Sequence, residues 1–388
     1  MKICKVTKVE VDFKTEEVDV FINFIDKKGE CPILGDLYPI HDRRESRRWR
    51  HLDTLQFKTY INCRVPRVKT PSGTKTITVP WADSFERHTY LFERLVIDLL
   101  LGTKNQTATS KLLRTGFNVI NRIIHLSVKR GLLRRDNTLT LSNLSIDEKS
   151  FRKGHSYVSV LSSPLTGTVV DIVENRDIKA VKQLIDSAIA DVSKVETVTM
   201  DMWPAYLNTI KKMIPNASII HDRFHLVKYL NEGIDKVRKR EVKQHEELRN
   251  TRYVWLKNKE NLTEKQHIKF ESIQQANYEV SRAWRIREDF KGIFGSKNRT
   301  EAFGLFIKWG SSVINSKIEE MKKIAKMFNR HLEGVCNALN SNFSNAMAER
   351  LNGKIQEVKS TARGYRTFEN FRSAILFFNG GLSLYPHK

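Results

Sequence analysis

The sequence predicts a multidomain α/β protein, in which an α-helical insertion interrupts a mixed five-stranded sheet with its helices. Three observations lead to this prediction. The 388 residues are enough for roughly two to four domains. Residues 138–232 alternate between short β-branched runs and stretches with helical periodicity. Residues 226–340 carry apolar side chains at helical spacing in charged sequence, and this segment is too long to be a loop.

The changes in pattern along the chain predict five segments. They are a small β-rich N-terminal module like a degenerate zinc ribbon (1–82), a helix-turn-helix region (83–135), the first part of the α/β domain (136–230), the α-helical insertion (231–340) and the C-terminal part of the α/β domain (341–388).

The composition is strongly basic. Lys and Arg number 67 against 44 Asp and Glu, which gives a net charge of +23 and a pI near 9.8. Such a balance favours a polyanionic partner, either nucleic acid or an acidic membrane surface, although a merely solvated basic surface stays open. No apolar run approaches the roughly 20 residues of a membrane span, and the N-terminus lacks the apolar core of a signal peptide. Four scattered cysteines form no disulfide framework, so we expect a reducing cytoplasm.

The N-terminal module contains alternating patterns that are typical of short strands, as in residues 6–24. Cys31 and Cys63 lie where a zinc ribbon has two Cys-x-x-Cys pairs, but the second cysteine of each pair is missing. His41 and His51 match no common zinc spacing. We therefore expect no zinc and a β module that packing stabilises.

Two short helices are predicted at 106–114 and 118–129, around a turn that contains Gly116. This pattern fits a DNA-binding helix-turn-helix, and an ordinary helical hairpin is the alternative. The apolar residues of the second helix share one face, so its polar residues are expected to point outward. The candidate DNA-binding residues are Asn118, Asn121, Arg122, Lys129 and Arg130, with Arg47 and Arg48 from an upstream Arg-rich stretch as phosphate contacts.

The segment 138–232 has the element order βββ-α-β-α-β, followed by a long helix. This is the order of the ribonuclease H-like fold, which places one acid on its first strand and another on its fourth. Asp147 and Asp201 occupy these places, 201 − 147 = 54 residues apart. A third acid, Glu349, lies in a helical pattern downstream. Two Asp at strand ends and one Glu on a helix are suited to a pair of divalent metal ions.

Three residues near these acids are also considered as parts of the predicted metal site. Glu148 follows Asp147, but successive side chains of a strand point to opposite faces, so we expect Glu148 away from the metals. His221 and His225 flank the next strand end and could contact DNA, orient a ligand or simply pack. Three unrelated surface acids remain the alternative to a catalytic triad.

Five motifs occur in order from about residue 140 to the C-terminus. They are Ile146-Asp-Glu-Lys-Ser-Phe-Arg-Lys-Gly-His-Ser-Tyr-Val158, Met200-Asp-Met-Trp-Pro-Ala-Tyr206, Asp222-Arg-Phe-His-Leu-Val-Lys228, Asn345-Ala-Met-Ala-Glu-Arg-Leu-Asn-Gly-Lys-Ile355 and Ala362-Arg-Gly-Tyr-Arg366. With them the chain resembles the ISL-three family of bacterial insertion-sequence transposases. There are two departures: the N-terminal zinc knuckles are half lost, and Leu161-Ser-Ser-Pro164 stands where the family tends to have an Asp.

The resemblance implies a catalytic Asp-Asp-Glu triad, here Asp147, Asp201 and Glu349, that holds two Mg²⁺ (or Mn²⁺) ions. It implies cleavage of element ends and their joining to target DNA. The implied partner is double-stranded DNA, both the terminal inverted repeats and the target, bound by a homodimer or higher oligomer at the nucleoid. Two other functions stay open: a ribonuclease H-like nuclease without strand transfer, and a catalytically silent or domesticated DNA-binding regulator.

Overall fold

The computed structural model describes residues 4–135, 141–152, 156–276, 278–340 and 346–386. The chain divides into two compact units. Unit 1 comprises Met1–Arg135 together with Val358–Lys388, and unit 2 comprises Asp136–Glu357. The predicted segment 341–388 is therefore shared, since it belongs to unit 2 up to Glu357 and to unit 1 from Val358.

The described residues form thirteen strands and fourteen α-helices. The strands are β1 (Cys4–Asp12), β2 (Glu17–Phe24), β3 (Lys28–Glu30), β4 (Leu37–Arg43), β5 (Arg47–Arg50), β6 (Lys58–Cys63), β7 (Pro66–Thr70), β8 (Gly73–Thr76), β9 (Asn143–Arg152), β10 (Ser156–Ser163), β11 (Thr168–Glu174), β12 (Thr197–Met200) and β13 (Ser218–His221). The helices are α1 (Tyr90–Thr103), α2 (Gln106–Leu112), α3 (Phe117–Leu133), α4 (Ile178–Ala188), α5 (Pro204–Met213), α6 (Arg223–Glu241), α7 (Arg252–Leu256), α8 (Glu264–Gln274), α9 (Glu279–Lys291), α10 (Arg299–Asn315), α11 (Glu319–Arg330), α12 (Leu332–Asn340), α13 (Ala346–Thr361) and α14 (Phe368–Asn379).

The N-terminal part of unit 1 consists of two four-stranded sheets, with the strand orders β1-β2-β6-β5 and β3-β4-β7-β8. The β-rich module that the alternation predicts is thus confirmed. Trp49 is fully buried in its core, where it packs edge-on against Trp81. Cys31 and Cys63 are buried in the same apolar core, and burial raises the pKa of the Cys63 thiol to about 12. Both cysteines therefore serve as small core side chains.

The helical part of unit 1 contains α1, α2 and α3, with α14 packed against α3. Capping side chains fix where the first two helices begin: Thr89 accepts a hydrogen bond from the N–H of Phe92, and Asn105 from that of Ala108. The buried face of α3 carries apolar residues at helical spacing, among them Ile120, Ile123, Ile124 and Val128. The predicted helices are confirmed, and α3 is longer at its C-terminal end than the pattern indicated.

Unit 2 contains a five-stranded mixed sheet with the strand order β11-β10-β9-β12-β13. Strands β9, β10 and β11 pair antiparallel, whereas β12 runs parallel to both β9 and β13. The order of elements along the chain is βββ-α-β-α-β, as predicted. Apolar residues of α4 and α5 cover one face of the sheet, where they pack on Leu144, Ile146, Val198 and Met200.

Residues 231–340 are helical, as predicted, and enclose an aromatic core. Trp255, Phe270, Phe290 and Phe328 are fully buried there, so these aromatic side chains serve packing. The helices are also attached to the sheet edge. The Asn337 amide of α12 donates to the Ile219 carbonyl of β13 at 2.8 Å. Within the described ranges, no helix is both long and apolar enough to cross a lipid bilayer.

Candidate active site

The register of the parallel strands brings Asp147 and Asp201 to the same place in the sheet. Met200 of β12 pairs with Ile146 of β9, and each aspartate is the next residue along its chain. Both carboxylates accept a hydrogen bond from the following backbone N–H, at 2.8 Å for Asp147 and 2.6 Å for Asp201. Each carboxylate is 24% exposed. Two half-buried acids thus lie side by side where solvent reaches them.

His225 contacts both of these acids. It lies in the first turn of α6, whose start Asp222 fixes by accepting a hydrogen bond from the Phe224 N–H at 2.8 Å. Its Nδ1 atom is 3.2 Å from an Asp201 oxygen, and its Nε2 atom is 3.9 Å from an Asp147 oxygen. One imidazole ring therefore bridges the two carboxylates.

The protonation states of this pair follow from burial and contact. Burial raises the pKa of Asp201, but the contacts with His225, the Met202 N–H and the Tyr229 hydroxyl more than offset it, so that this pKa lies below its usual value. Burial lowers the pKa of His225, but the neighbouring carboxylates, above all Asp201, outweigh it and raise this pKa. The site therefore favours an ionised acid beside an imidazolium.

Three further groups donate to the two carboxylates. The Lys149 ammonium is 2.7 Å from Asp147 Oδ2, and the Asn352 amide of α13 donates to the same oxygen at 3.1 Å. The Tyr229 hydroxyl, one turn beyond His225 on α6, donates to Asp201 at 3.3 Å. Side chains from β9, α6 and α13 therefore contact one pair of acids, and they supply both positive charge and oriented hydrogen bonds.

The third predicted acid, Glu349, lies in α13, but its side chain is outside the described residues. In the sequence it precedes Asn352 by three residues, which is the spacing of neighbours on one helix face. Glu148 pairs instead with Arg176, at 2.7 Å. The Glu148 carboxylate therefore has a different partner from that of Asp147, and its predicted distance from the metals stays a prediction.

The donor set fits a hard divalent cation. Carboxylate oxygens are the ligands that Mg²⁺ prefers, and half-buried ones leave room for the waters that the ion keeps. The buried His225 Nδ1 faces Asp201 at 3.2 Å without a well-aligned hydrogen bond. Among the described side chains, no group of three or more His, Cys, Asp or Glu is arranged to hold a metal ion. Of the three predicted metal ligands, the described side chains are those of Asp147 and Asp201.

A comparison with known proteins assigns the chain to a family. Residues 144–375 match the family of ISL3 (ISL-three) DDE proteins, which is described as transposase. The chain belongs to the ISL3 transposase family. The match begins in β9 and ends in α14, so it includes the positions of Asp147, Asp201 and Glu349.

Two curated relatives support the same assignment. The transposase for insertion sequence element IS1557 of Mycobacterium tuberculosis is 25% identical over 353 residues, which cover 83% of this chain and 79% of the relative. The transposase for insertion sequence element IS1001 of Bordetella parapertussis is 24% identical over 340 residues, which cover 84% and 82%. A chain of the simian T-cell lymphotropic virus intasome in complex with PP2A regulatory subunit B56 gamma matches with a TM-score of 0.16 and 13% identity, over 47% of this chain and 69% of that one. A TM-score this low supports no inference.

Five of the seven predicted DNA-contacting residues of this transposase lie on α3, but not all of them point outward. Asn118, Arg122 and Lys129 are exposed and follow one stripe of the helix. Arg122 nevertheless pairs with the buried Glu86 at 2.7 Å. Asn121 is half-buried and donates to Asn370 of α14 at 3.3 Å.

The other three predicted contacts have partners inside unit 1. Arg130 pairs with the buried Glu93 at 2.7 Å and donates to the Leu384 carbonyl. Arg47 donates to the backbone carbonyls of Ser84 and Glu86, at 2.7 and 3.0 Å. Arg48 pairs with Glu17 and Asp19, each at 2.8 Å. A role in binding DNA stays a prediction for these arginines, whose guanidinium groups stabilise unit 1.

The sequence left some site residues unassigned. Lys149, Tyr229 and Asn352 were not predicted, and His225 was left between contacting a ligand and packing. Each follows a regular spacing from a neighbour in the site. Lys149 is two residues after Asp147 on one strand, Tyr229 is four after His225 on one helix, and Asn352 is three after Glu349. These spacings are the signal that would have revealed them.

Proposed function

We propose that this transposase cuts the ends of its insertion sequence and joins them to target DNA, with Asp147, Asp201 and Glu349 as the catalytic acids. The observation that carries the proposal is the pairing of Asp147 and Asp201 on neighbouring parallel strands, bridged by His225. The strand order and connections also support a ribonuclease H-like arrangement for unit 2.

The chemistry is phosphoryl transfer. A water hydroxyl attacks a phosphodiester at the element end, and the released 3′-hydroxyl then attacks the target strand in line. Two Mg²⁺ or Mn²⁺ ions, when bound by the three acids, would supply activation of the attacking oxygen and stabilisation of the leaving one. The chain's own residues prepare for this: His225 favours the ionised form of Asp201, Lys149 pairs with Asp147, and Asn352 fixes the orientation of Asp147.

DNA recognition belongs to α1–α3, for which we propose a helix-turn-helix role. The exposed stripe of α3 carries Asn118, Arg122 and Lys129, which suit base edges and phosphates. The amide of Asn121 adjoins this stripe. The proposed partners are the terminal inverted repeats and target DNA at the nucleoid, and the proposed assembly on DNA is a homodimer or higher oligomer.

The test compares conservative variants in a cleavage assay on a labelled duplex that carries the element end. Asp147→Asn, Asp201→Asn and Glu349→Gln should each abolish cleavage and leave DNA affinity largely intact, since each removes one metal-binding charge. Glu148→Gln is the matched control, because it removes the same charge one residue away, where the partner is Arg176. Near-parental cleavage by any triad variant would remove that residue from the site.

A further inference from the structure

Strand β1 forms an uncovered edge of the first sheet of unit 1. The strand order β1-β2-β6-β5 places it at one end of that sheet, and no described strand pairs with its outer side. At the other end of the sheet, β5 is bordered by a bridge between Arg50 and His88. The outer side of β1 therefore presents backbone N–H and C=O groups without a ladder partner in the described part of the chain.

This edge is long and exposed. β1 has nine residues, and all of them except Cys4 are exposed. The strands at the other edges of the two N-terminal sheets are shorter, with four residues in β5, three in β3 and four in β8. Val6, Val9 and Val11 of β1 are 51%, 55% and 47% exposed. A long edge strand with exposed apolar side chains is a surface on which another strand can pair.

A β-bulge divides the strand. Its register with β2 shifts between Val6 and Lys8, and the Thr7 hydroxyl at this shift donates to the Phe21 carbonyl at 3.2 Å. From Lys8 to Asp12 the pairing with β2 is regular. Because a bulge bends its strand locally, a further strand meets a regular ladder only from Lys8 onward.

The charges of β1 change sign along the strand. Lys5 and Lys8 lie in its first half, and Glu10 and Asp12 lie in its second half. Two antiparallel copies of such a strand place the basic half of each opposite the acidic half of the other. Opposite charges at facing positions stabilise a pair of strands, and like charges destabilise it. Natural edges that avoid pairing are rich in lysine, whereas this edge is complementary to a second copy of itself.

The sequence of β1 also selects one register. With Val9 opposite Val9 of the second copy, each Lys8 lies opposite a Glu10. A shift by one residue in either direction places Lys8 opposite a valine, Val9 or Val11. A shift by two residues places Lys8 opposite Lys8 or Glu10 opposite Glu10, which is unfavourable. The register about Val9 is therefore the one that matches both charge and apolar contact.

The side chains of β1 suit this register on both faces of the strand. Lys8 and Glu10 form an ion pair within one copy, and they are 63% and 48% exposed. When two copies pair, each of these charges has an opposite charge beside it and another across from it. Val9 points to the other face, and it pairs with Val20 of β2. An apolar strip thus continues from one copy into the other.

We propose that β1 is a contact between two copies of this transposase, paired antiparallel about Val9 with each Lys8 opposite a Glu10. The first sheet of unit 1 then continues from one copy into the other. The inference gives the proposed assembly of copies a surface, and in that respect it rests on the proposed function. Because the bulge at Thr7 limits the regular ladder, we expect a reversible dimer in the micromolar range that forms without DNA.

Sedimentation of the full-length protein without DNA measures the Kd of this dimer. Lys8→Glu should raise the Kd about tenfold or more, because like charges then face each other at two symmetric positions. Glu10→Lys changes the net charge in the opposite direction and should have the same effect. The double variant Lys8→Glu/Glu10→Lys restores opposite charges, so it should dimerise as the parent does. The Tm should stay at the parental value in each variant, since both side chains are exposed.

Lys5→Glu is the matched control for these charge reversals. It reverses an exposed charge on the same strand, but Lys5 lies opposite Phe13 in the proposed register, so the Kd should stay within about twofold of the parental value. Cysteine cross-linking checks the register. Mild oxidation should link two copies of Val9→Cys, because directly opposite Cβ atoms lie about 4.5–5.5 Å apart. Two copies of Val11→Cys are displaced by about 13 Å along the strand and should stay unlinked, and the parent is the blank for the four native cysteines.

The outcomes separate this inference from the proposed function. A parent protein that stays monomeric across the micromolar range would overturn the inference, and so would a double variant that fails to restore the dimer. Single variants that keep the parental Kd and lose only affinity for DNA would overturn it too, because β1 would then serve DNA. A monomer that cleaves the element end removes only the β1 contact. A dimer with the expected charge dependence that neither binds nor cleaves this DNA contradicts only the proposed function.

Discussion

Asn352 provides the sharpest test of how α13 supports the proposed catalytic acids. Its amide donates to Asp147 Oδ2 at 3.1 Å, and it lies one helical turn after Glu349. We consider Asn352→Leu, because leucine has the same number of side-chain heavy atoms as asparagine, suits a helix and cannot donate a hydrogen bond. The hydrogen bond to Asp147 is then lost while the helix is retained.

The magnitude follows from the bond that is removed. A hydrogen bond to a charged group contributes about 1.5–3 kcal/mol. Each 1.36 kcal/mol of barrier corresponds to a tenfold change in rate. If the amide holds Asp147 in its reactive orientation, Asn352→Leu should slow strand cleavage by about 10- to 150-fold.

The assay is single-turnover cleavage of a labelled end duplex at saturating protein, so that binding does not limit the rate. DNA affinity is measured separately and should stay within about twofold of the parent, because Asn352 contacts an acid of the site. Gln356→Leu is the matched control, since Gln356 is an exposed amide one turn further along α13. It should cleave at the parental rate.

One result would refute the reasoning. If Asn352→Leu is folded, binds DNA and cleaves as fast as Gln356→Leu, the amide does not position Asp147 for the reaction. The proposal that α13 brings Glu349 to the same site would then lose its structural support.

Three other properties can be checked on the purified protein. Burial lowers the pKa of His221 from 6.5 to about 4, so the unfolded chain takes up a proton at this residue at a higher pH than the folded chain does. Chemical denaturation should therefore show that the free energy of unfolding falls by about 2 kcal/mol between pH 7 and pH 5. Equal losses in the parent and in His221→Gln would contradict this. Elemental analysis should find no stoichiometric zinc, because zinc binds the thiolate form of cysteine and burial raises the pKa of Cys63 to about 12. One zinc per chain that is lost in Cys63→Ala would contradict this. In Gly131→Ala the new Cβ would lie 2.6 Å from Leu382 Cβ, so denaturant titration should show that the free energy of unfolding falls by about 1–3 kcal/mol. The control is Gly102→Ala, whose new Cβ meets nothing within 4 Å and should stabilise α1 by up to about 1 kcal/mol.

The backbone of unit 2 was predictable because local patterns determine it. β-branched runs that end in an acid predicted β9 and β12, and helical periodicity predicted α4 and α5. The order of these elements then suggested which strands are neighbours. The sequence alone could therefore predict that Asp147 and Asp201 lie close together. In the structure, the parallel register of β9 and β12 pairs Ile146 with Met200, so the two aspartates directly follow paired residues.

The side-chain partners were not predictable, because they join residues that are distant in sequence. His125 of α3 bonds to Asn370 of α14, 245 residues later, and no periodicity in either helix indicates that the two pack together. The aromatic residues of 231–340 show the same limit. Their spacing predicted helices, but only the fold shows that Trp255 and Phe290 face a common core.

Net charge gives a similar lesson about function. An excess of 23 positive charges indicates a polyanionic partner, yet it does not identify the cations that meet it. The Arg-rich stretch of residues 43–50 attracts attention in the sequence, but Arg48 is held between Glu17 and Asp19. A dense run of arginines in the sequence therefore does not identify the cations that are available to a polyanion, because partners that are distant in sequence can already hold them.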